Sequence, residues 1–387
     1  MRSVNFTSQN TITLLYCGTE FFPALIASID TAVSEVYLET YIFADDSVGQ
    51  AVRDALKRAA ARGVVVSVIS DWVGTGRASV RLLDADLLAA GVHHRVFNPW
   101  FRRGVARLHR KICVVDRECA FVGGLNINDD LQDDSNASVL LSAPRWDFAV
   151  QVRGPLVDVI HEEARAQWLR LGKLPLMARL ELFQELRSTL PIRSNQPALA
   201  GLVVRDNLRN RRTIQRAYLQ ALGSARKSAL LANPYFAPGH KFRRALAAAA
   251  ARGVQVTVLI GVGQFRLQDS VAHAFYPKLL KSGVKVVEYR KTQLHGKVAV
   301  VDDDWATVGS SNCDGLSLFI NQEANVVVKD AAFAGTLRRH IEDAIAAGVV
   351  IHLEDFTNIP RYKRVWYGFT YLVYRGVMRI VTLGSYS

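Results

Sequence analysis

No uninterrupted apolar run among the 387 residues approaches the ~20 that a spanning helix needs, so an integral bundle of such helices is excluded. The opening Met1-Arg2-Ser3-Val4-Asn5-Phe6-Thr7 has no apolar core of the secretory type. Cysteine is scarce: Cys17, Cys113, Cys119 and Cys313 are scattered, without a CxxC or a Cys/His ligand spacing. That pattern suggests neither a disulfide framework nor a zinc site and fits a reducing cytosolic setting. Nor is a carboxylate cluster of the two-metal kind legible, so the expected chemistry uses no metal and no cofactor.

What is present is a chain that is half hydrophobic, enough to bury a large core, with a formal charge of +13. Disorder is therefore not expected. The charge points to an anionic partner, either nucleic acid or an acidic lipid surface, and cannot choose between them.

One stretch occurs twice. His109-Arg110-Lys111-Ile112-Cys113-Val114-Val115-Asp116 is followed by Val122-Gly123-Gly124-Leu125-Asn126, and His295-Gly296-Lys297-Val298-Ala299-Val300-Val301-Asp302 by Val308-Gly309-Ser310-Ser311-Asn312. Two further pairs match in the same order, Val52 to Val64 with Phe242 to Val254 and Leu87 to Val92 with Leu279 to Val284. Offsets of roughly 190 residues throughout make the chain an internal duplication. Around these matches strands alternate with helices: strands at Thr11 to Tyr16, Val36 to Phe43 and Val64 to Ile69, and helices at Phe21 to Ala32 and Gly49 to Arg62. Gly18 reads as a turn, Pro23 as a first-turn proline, and Asp71 to Gly76 as a loop. The class is α/β, layered.

The Val, Ile and Ala runs read as buried strands, whose period of two places His109 and Lys111 on one face, and likewise His295 and Lys297. Glu39 and Tyr41 share a face of their own strand by the same rule. Asp116 and Asp302 fall on the opposite parity, so they need not share the site; strand-end bonding to backbone is the alternative. Two lobes that meet by these faces assemble two imidazoles, two ammoniums and the carboxamides of Asn126 and Asn312. Such a set suits a phosphodiester: a neutral His attacks phosphorus, a protonated one serves the leaving alkoxide, and fixed cations and amides hold the non-bridging oxygens. Asp147 and Glu323 occupy equivalent positions, each opening a strand. They belong to the binding set as acceptors for a His ring proton, or else form ordinary strand-edge salt bridges.

The duplicated HxKxxxxD stretches with their trailing GG..N and GS.N resemble the phospholipase D superfamily. Leu38 to Asp46, Val203 to Asn207, Val308 to Asn312 and Glu323 to Val328 look like its bacterial cardiolipin synthase branch. The resemblance covers nearly the whole chain and implies two duplicated α/β/α sandwich lobes with mixed sheets, related by a pseudo-twofold axis. It further implies metal-independent ping-pong phosphatidyl transfer. His109, Lys111, Asn126 and His295, Lys297, Asn312 would surround the phosphate, with Asp116 and Asp302 as supporting catalytic acids. His109 would be the nucleophile and His295 the acid/base. Gly124 stands where the second copy has Ser310, which can leave the halves unequal. The short N-terminus is similar to the peripheral subtype without paired membrane spans.

The tail favours lipid over nucleic acid. Between Arg361 and Leu383 aromatic and aliphatic residues dominate, with Arg364, Arg375 and Arg379 on one narrow helical stripe. That pattern suits a helix lying in an anionic headgroup region; a final core helix is the alternative. The expected organisation is a first lobe over 1–170, a connector over 171–200 with a helix from Leu176 to Leu186, a second lobe over 201–354 and a membrane-associating tail over 355–387. The expected partners are a phospholipid substrate and an anionic membrane surface, without nucleic acid, on the cytoplasmic face of the cell membrane. The runs Phe101 to Arg107 and Arg205 to Arg212 read mainly as solvated faces, and Gln264 to Ala274 as a loop at the site entrance. A hydrolytic phosphodiesterase or nuclease is the competing function; a non-catalytic scaffold would predict decayed motifs, and both are intact.

Overall fold

A computed structural model describes residues 4–133, 139–172, 199–206, 210–357 and 359–382. The expected connector helix from Leu176 to Leu186 and part of the Arg205 to Arg212 run lie outside them. The first lobe contains β1 (Thr11–Tyr16), α1 (Cys17–Asp30), β2 (Glu35–Thr40), α2 (Ser47–Ala61), β3 (Val65–Asp71), α3 (Arg77–Ala89), β4 (His93–Phe97), β5 (Ile112–Val115), β6 (Cys119–Gly123), β7 (Phe148–Arg153) and α4 (Leu156–Leu171). The second contains β8 (Leu199–Arg205), α5 (Thr213–Ser224), β9 (Ser228–Asn233), α6 (His240–Ala251), β10 (Gln255–Gly261), α7 (Arg266–His273), α8 (Tyr276–Lys281) and β11 (Lys285–Tyr289). It continues through β12 (Lys297–Val301), β13 (Trp305–Gly309), α9 (Gly315–Phe319), β14 (Glu323–Lys329), α10 (Ala331–Ala346) and β15 (Val349–Ile351), then α11 (Leu353–Thr357) and a tail helix α12 (Arg361–Val381).

The sheets repeat one another strand for strand. The first has the order β1-β7-β6-β5-β2-β3-β4, the second β8-β14-β13-β12-β9-β10-β11 with β15 added at the edge. In each, three strands run parallel (β2-β3-β4, β9-β10-β11) and the rest pair antiparallel, so both sheets are mixed. The Val and Ile runs beside the repeated His and Lys become β5 and β12, buried on both faces as continuous apolar strands require.

The largest apolar cluster belongs to neither lobe alone. Ile112, Trp146, Phe148 and Ile160 of the first meet Leu294, Val298, Leu337 and Ile341 of the second, with α4 and α10 contributing to the packing. The lobes are also stitched by two short parallel bridges, Leu108 with Gln322 and Trp146 with Leu294. These are one contact made twice, as expected where duplicated halves face each other across a twofold.

Three local expectations are corrected. Gly18 is not a turn: α1 starts at Cys17, where the Asp130 carboxylate accepts the Gly18 N–H at 2.6 Å, and Pro23 is thereby inside the helix. The cap comes from a residue 112 positions away, so no local pattern announces it. Gln264 to Ala274 is not a loop but contains α7, against which the tail helix packs. The strand through Glu39 stops at Thr40, so Tyr41 does not share its face.

Asp116 and Asp302 are placed away from the His/Lys faces. At about 3.3 Å per residue, five residues of strand put them some 15 Å beyond Lys111 and Lys297. The Asp116 carboxylate accepts the N–H groups of Val33, Ser34 and Glu35 at 2.8–2.9 Å, and Asp302 those of Arg226, Lys227 and Ser228 at 2.7–3.1 Å. Burial pulls both carboxyls up, but these bonds outweigh it and hold them below their usual range. Both carboxylates thus make the strand-end bonds to backbone that the parity argument allows. Asp116→Ala and Asp302→Ala should each cost about 1–2 kcal/mol in urea unfolding, allowing for partial exposure, with kcat within about threefold of wild type. The stabilisation is present above the unfolded carboxyl pKa and is lost as pH falls through the depressed folded value.

The tail helix packs on the protein by one face. Thr370 and Met378 are buried, Tyr371 meets Phe275 edge-on with ring centroids 5.0 Å apart, and Met378 packs on Ala106 and Ile320. The opposite face leaves Val365, Phe369, Leu372, Val377 and Ile380 exposed, together with Arg364, Arg375 and Arg379. Among the described residues no helix is long and apolar enough to cross a membrane.

Candidate active site

Each repeated His is seated on the opposite lobe. The His109 N–H donates to the Gln322 carbonyl at 2.9 Å, while Gln322 N–H returns to Arg107 O at 2.8 Å. In the mirror contact His295 N–H donates to Trp146 O at 2.9 Å and Trp146 N–H to Gln293 O at 2.9 Å. Gly296 lies against the Trp146 ring, which a Cβ would approach to 2.8 Å. On the first side, buried Asp71 fixes the approach to His109 by accepting the Leu108 N–H at 2.8 Å.

The acid partners are exchanged between lobes as well. His109 Nδ1 is 2.9 Å from Glu323 Oε2, and His295 Nδ1 is 2.5 Å from Asp147 Oδ2. His109 Nδ1 also faces the Ser310 carbonyl at 3.1 Å, so it meets two acceptors and must carry the ring proton. Nε2 then keeps its lone pair. Burial lowers the His109 pKa, Glu323 pulls it back up and Lys111 adds to the lowering; the net direction is down, so the ring is neutral near pH 7. Burial alone would raise Glu323, but His109, Lys111 and Ser310 hold it below its usual range; Lys297 and His295 do the same for Asp147. Both acids are therefore ionised behind the imidazoles. Each faces a His ring nitrogen, the pairing that the reading of these acids as acceptors for a ring proton expects.

The two halves differ in the length of that acid, and the glycine position compensates. A Cβ on Gly124 would lie 2.2 Å from Asp147 Oδ1, so the short carboxylate fits only beside glycine. Glu323 is one methylene longer and leaves room for Ser310, whose hydroxyl donates to its Oε2 at 2.5 Å. The expected inequality of the halves is thus a three-group network behind His109 and a simpler pair behind His295.

Lys111 donates to its own His109 carbonyl at 2.8 Å, and Lys297 makes the same bond to His295 O. Both are buried beside the imidazoles, as the parity argument expects. Asn126 turns its Oδ1 to the Ile42 N–H at 3.3 Å, leaving the NH2 as its donating end; Asn312 is likewise buried. Tyr41, which the sequence reading did not connect with the site, packs its ring 5.1 Å from that of His109 and 5.4 Å from Lys111 Nζ. Arg110 points the other way, making two bonds to buried Glu39 at 2.8 and 2.6 Å. Arg205, read as part of a solvated basic face, is instead buried and donates to the Phe319 and Asn321 carbonyls. The Phe101 to Arg107 run does start on the surface, with Phe101 and Val105 exposed. Among the described residues no three His, Cys, Asp or Glu side chains are grouped as around a metal ion.

An imidazole with a free Nε2, a second imidazole, two ammoniums and two carboxamides in one buried cluster match the needs of displacement at a phosphodiester. Comparison with known proteins agrees. The family model for the cardiolipin synthase phospholipase D-like domain matches residues 25–153 and again 218–345. Cardiolipin synthase B of Escherichia coli is 38% identical over 370 residues, covering 93% of this chain and 86% of the relative. A probable cardiolipin synthase of Bacillus subtilis is 29% identical, covering 93% of this chain and 70% of its own. Among solved structures, phosphatidylserine synthase of Haemophilus influenzae superposes with a TM-score of 0.70 at 14% identity, covering 98% of this chain and 97% of its own, a likeness of fold. The chain belongs to the cardiolipin synthase family of the phospholipase D superfamily and is a phosphatidyltransferase.

Proposed function

We propose that the protein joins phosphatidyl groups to a lipid alcohol, making cardiolipin from phosphatidylglycerol or a close relative through a phosphohistidine. The observation that carries this is the exchanged pairing of His109 with Glu323 and His295 with Asp147. In the first half-reaction, His109 Nε2 attacks phosphorus, a P–N bond forms and the P–O bond to glycerol breaks. His295 gives its proton to the departing glyceroxide. In the second, His295 takes the proton of the incoming lipid hydroxyl, whose oxygen attacks phosphorus; the P–N bond breaks and His109 is restored. Lys111, Lys297, Asn126 and Asn312 bind the non-bridging oxygens, where negative charge accumulates. Asp147 and Glu323 hold the ring tautomers. The exposed apolar face and arginines of the tail helix support a peripheral position on the anionic inner face of the cell membrane.

The test is mass spectrometry of products from phosphatidylglycerol vesicles, with a plasmid beside them. Cardiolipin plus free glycerol is expected. Phosphatidic acid alone would make the enzyme a hydrolase, and nicked plasmid with unchanged lipid a nuclease.

Glu323→Gln should lower kcat about 10²- to 10³-fold, because the His109 tautomer loses its ionised acceptor. Glu323 also holds the His109 pKa up, so removing its charge moves the acidic limb of the rate profile to lower pH. In the wild type that limb should already lie below the ordinary imidazole range, because burial lowers the His109 pKa. A limb unmoved, or moved upward, would contradict the assignment.

A further inference from the structure

Beside the site, α7 and the tail helix enclose a groove of about 310 Å³, at the lower end of the size of small-ligand sites. Its walls include Phe236, Leu267, Val271, Leu316, Phe369 and Val373. The rim is apolar too: Leu267, Leu316, Phe369, Val373 and Val377 are all exposed, making a patch larger than the scattered apolar residues of an ordinary surface.

Three connections join this groove to the chemistry. Asp314, in its wall, follows Asn312 by two residues and caps α9 by accepting the Ser317 N–H at 2.7 Å. Phe236 and Ala237, also in the wall, extend from β9, and Ala237 N–H donates to the Cys313 carbonyl at 3.1 Å. From the other side, Met378 packs on Ala106, three residues before His109. The groove is thus built on the backbone next to Asn312, and the helix that walls it packs near the approach to His109. Arg364, Arg375 and Arg379 are exposed on the other side of the same helix, a charge that suits an anionic lipid layer around it.

We infer that the groove is a binding site for one acyl chain of the phospholipid substrate, with the tail helix as its outer wall. This rests on the reading of the substrate as a phospholipid. Among the described residues no helix of the first lobe corresponds to the tail helix that walls the groove, so one lipid is gripped by its chain on the side of the second lobe. Each methylene moved from water into the groove favours binding about fourfold, so discrimination by chain length is expected.

The experiment uses full-length protein and phosphatidylglycerol with a terminal diazirine on one acyl chain, in mixed micelles, followed by peptide mapping after illumination. Crosslinks are expected at residues 235–237, 267–271 and 366–377, also in catalytically dead His109→Ala protein. In parallel, Val373→Trp fills the groove from a partly exposed position. It should raise KM for long-chain phosphatidylglycerol at least tenfold while leaving dihexanoyl phosphatidylglycerol turnover unchanged; Leu372→Trp, on the outer face, should change neither. Crosslinks only elsewhere, equal losses for both chain lengths, or a dimer that covers the groove and excludes the probe would overturn the inference. Crosslinks in the groove without turnover of either lipid by wild type would instead sink the proposed reaction and leave the lipid site standing.

Discussion

His109→Ala and His295→Ala should each lower lipid turnover by about 10⁴-fold or more, and they should fail differently. In the proposed reaction His109 supplies the electron pair: its Nδ1 is committed to Glu323 and Ser310 O, so Nε2 is the atom left to attack. In the same proposal His295, backed by Asp147 at 2.5 Å, supplies and recovers the proton. A phosphatidyl p-nitrophenyl ester separates the two, because p-nitrophenolate leaves without needing a proton. His295→Ala should then release about one equivalent of p-nitrophenol in a burst and stall, since no base activates the acceptor. His109→Ala should release none. Matching bursts from both variants would mean that either histidine can be the nucleophile, and a folded His109→Ala protein with ordinary turnover would remove the chemistry proposed here.

The largest effect on stability should come from a residue pair outside the reaction. Glu39→Ala is expected to lower unfolding free energy by about 3–5 kcal/mol, because it leaves the Arg110 guanidinium buried and unmatched. Burial drives the Glu39 carboxyl up and works against charge on Arg110, yet the guanidinium does not release its proton at accessible pH, and two short bonds hold the carboxylate. The pair is therefore ionised. Arg110 lies between His109 and Lys111, so its anchorage under the sheet also fixes the register that turns those two toward the site. Activity should fall with Glu39→Ala even at temperatures where the variant remains folded. Urea unfolding followed by circular dichroism reads the first effect, and turnover at 15 °C or so, well inside the stability dome, reads the second. A loss under 1 kcal/mol or so would mean that Glu163, 3.6 Å from Arg110, suffices as partner.

Much of this arrangement was legible in the order of residues. Continuous Val and Ile runs after each His and Lys announced β5 and β12, and a period of two announced that His109 with Lys111, and His295 with Lys297, face one way. The duplication announced two lobes with the same strand order. What stayed hidden depends on long-range partners. Nothing local says that Glu323 serves His109 and Asp147 serves His295, since each acid opens a strand of its own lobe and the exchange exists only once the lobes meet. The Asp130 cap on α1 and the burial of Arg205 are hidden for the same reason. Tyr41 was misread because strand parity was extended past Thr40, where the strand ends. The unequal acids carried a signal that was only half used: Gly124 with Asp147 and Ser310 with Glu323 trade one methylene for another, a spatial match between positions far apart in the chain.

The most direct test of the composite site is peptide mass spectrometry, after a quench in mildly alkaline denaturant, of His295→Ala protein mixed with the p-nitrophenyl phosphatidyl ester. The account predicts one phosphatidyl group on the peptide containing His109, labile to acid as a phosphoramidate and absent from the His109→Ala, His295→Ala double variant. An unmodified His109 peptide accompanying a full burst of p-nitrophenol would contradict it.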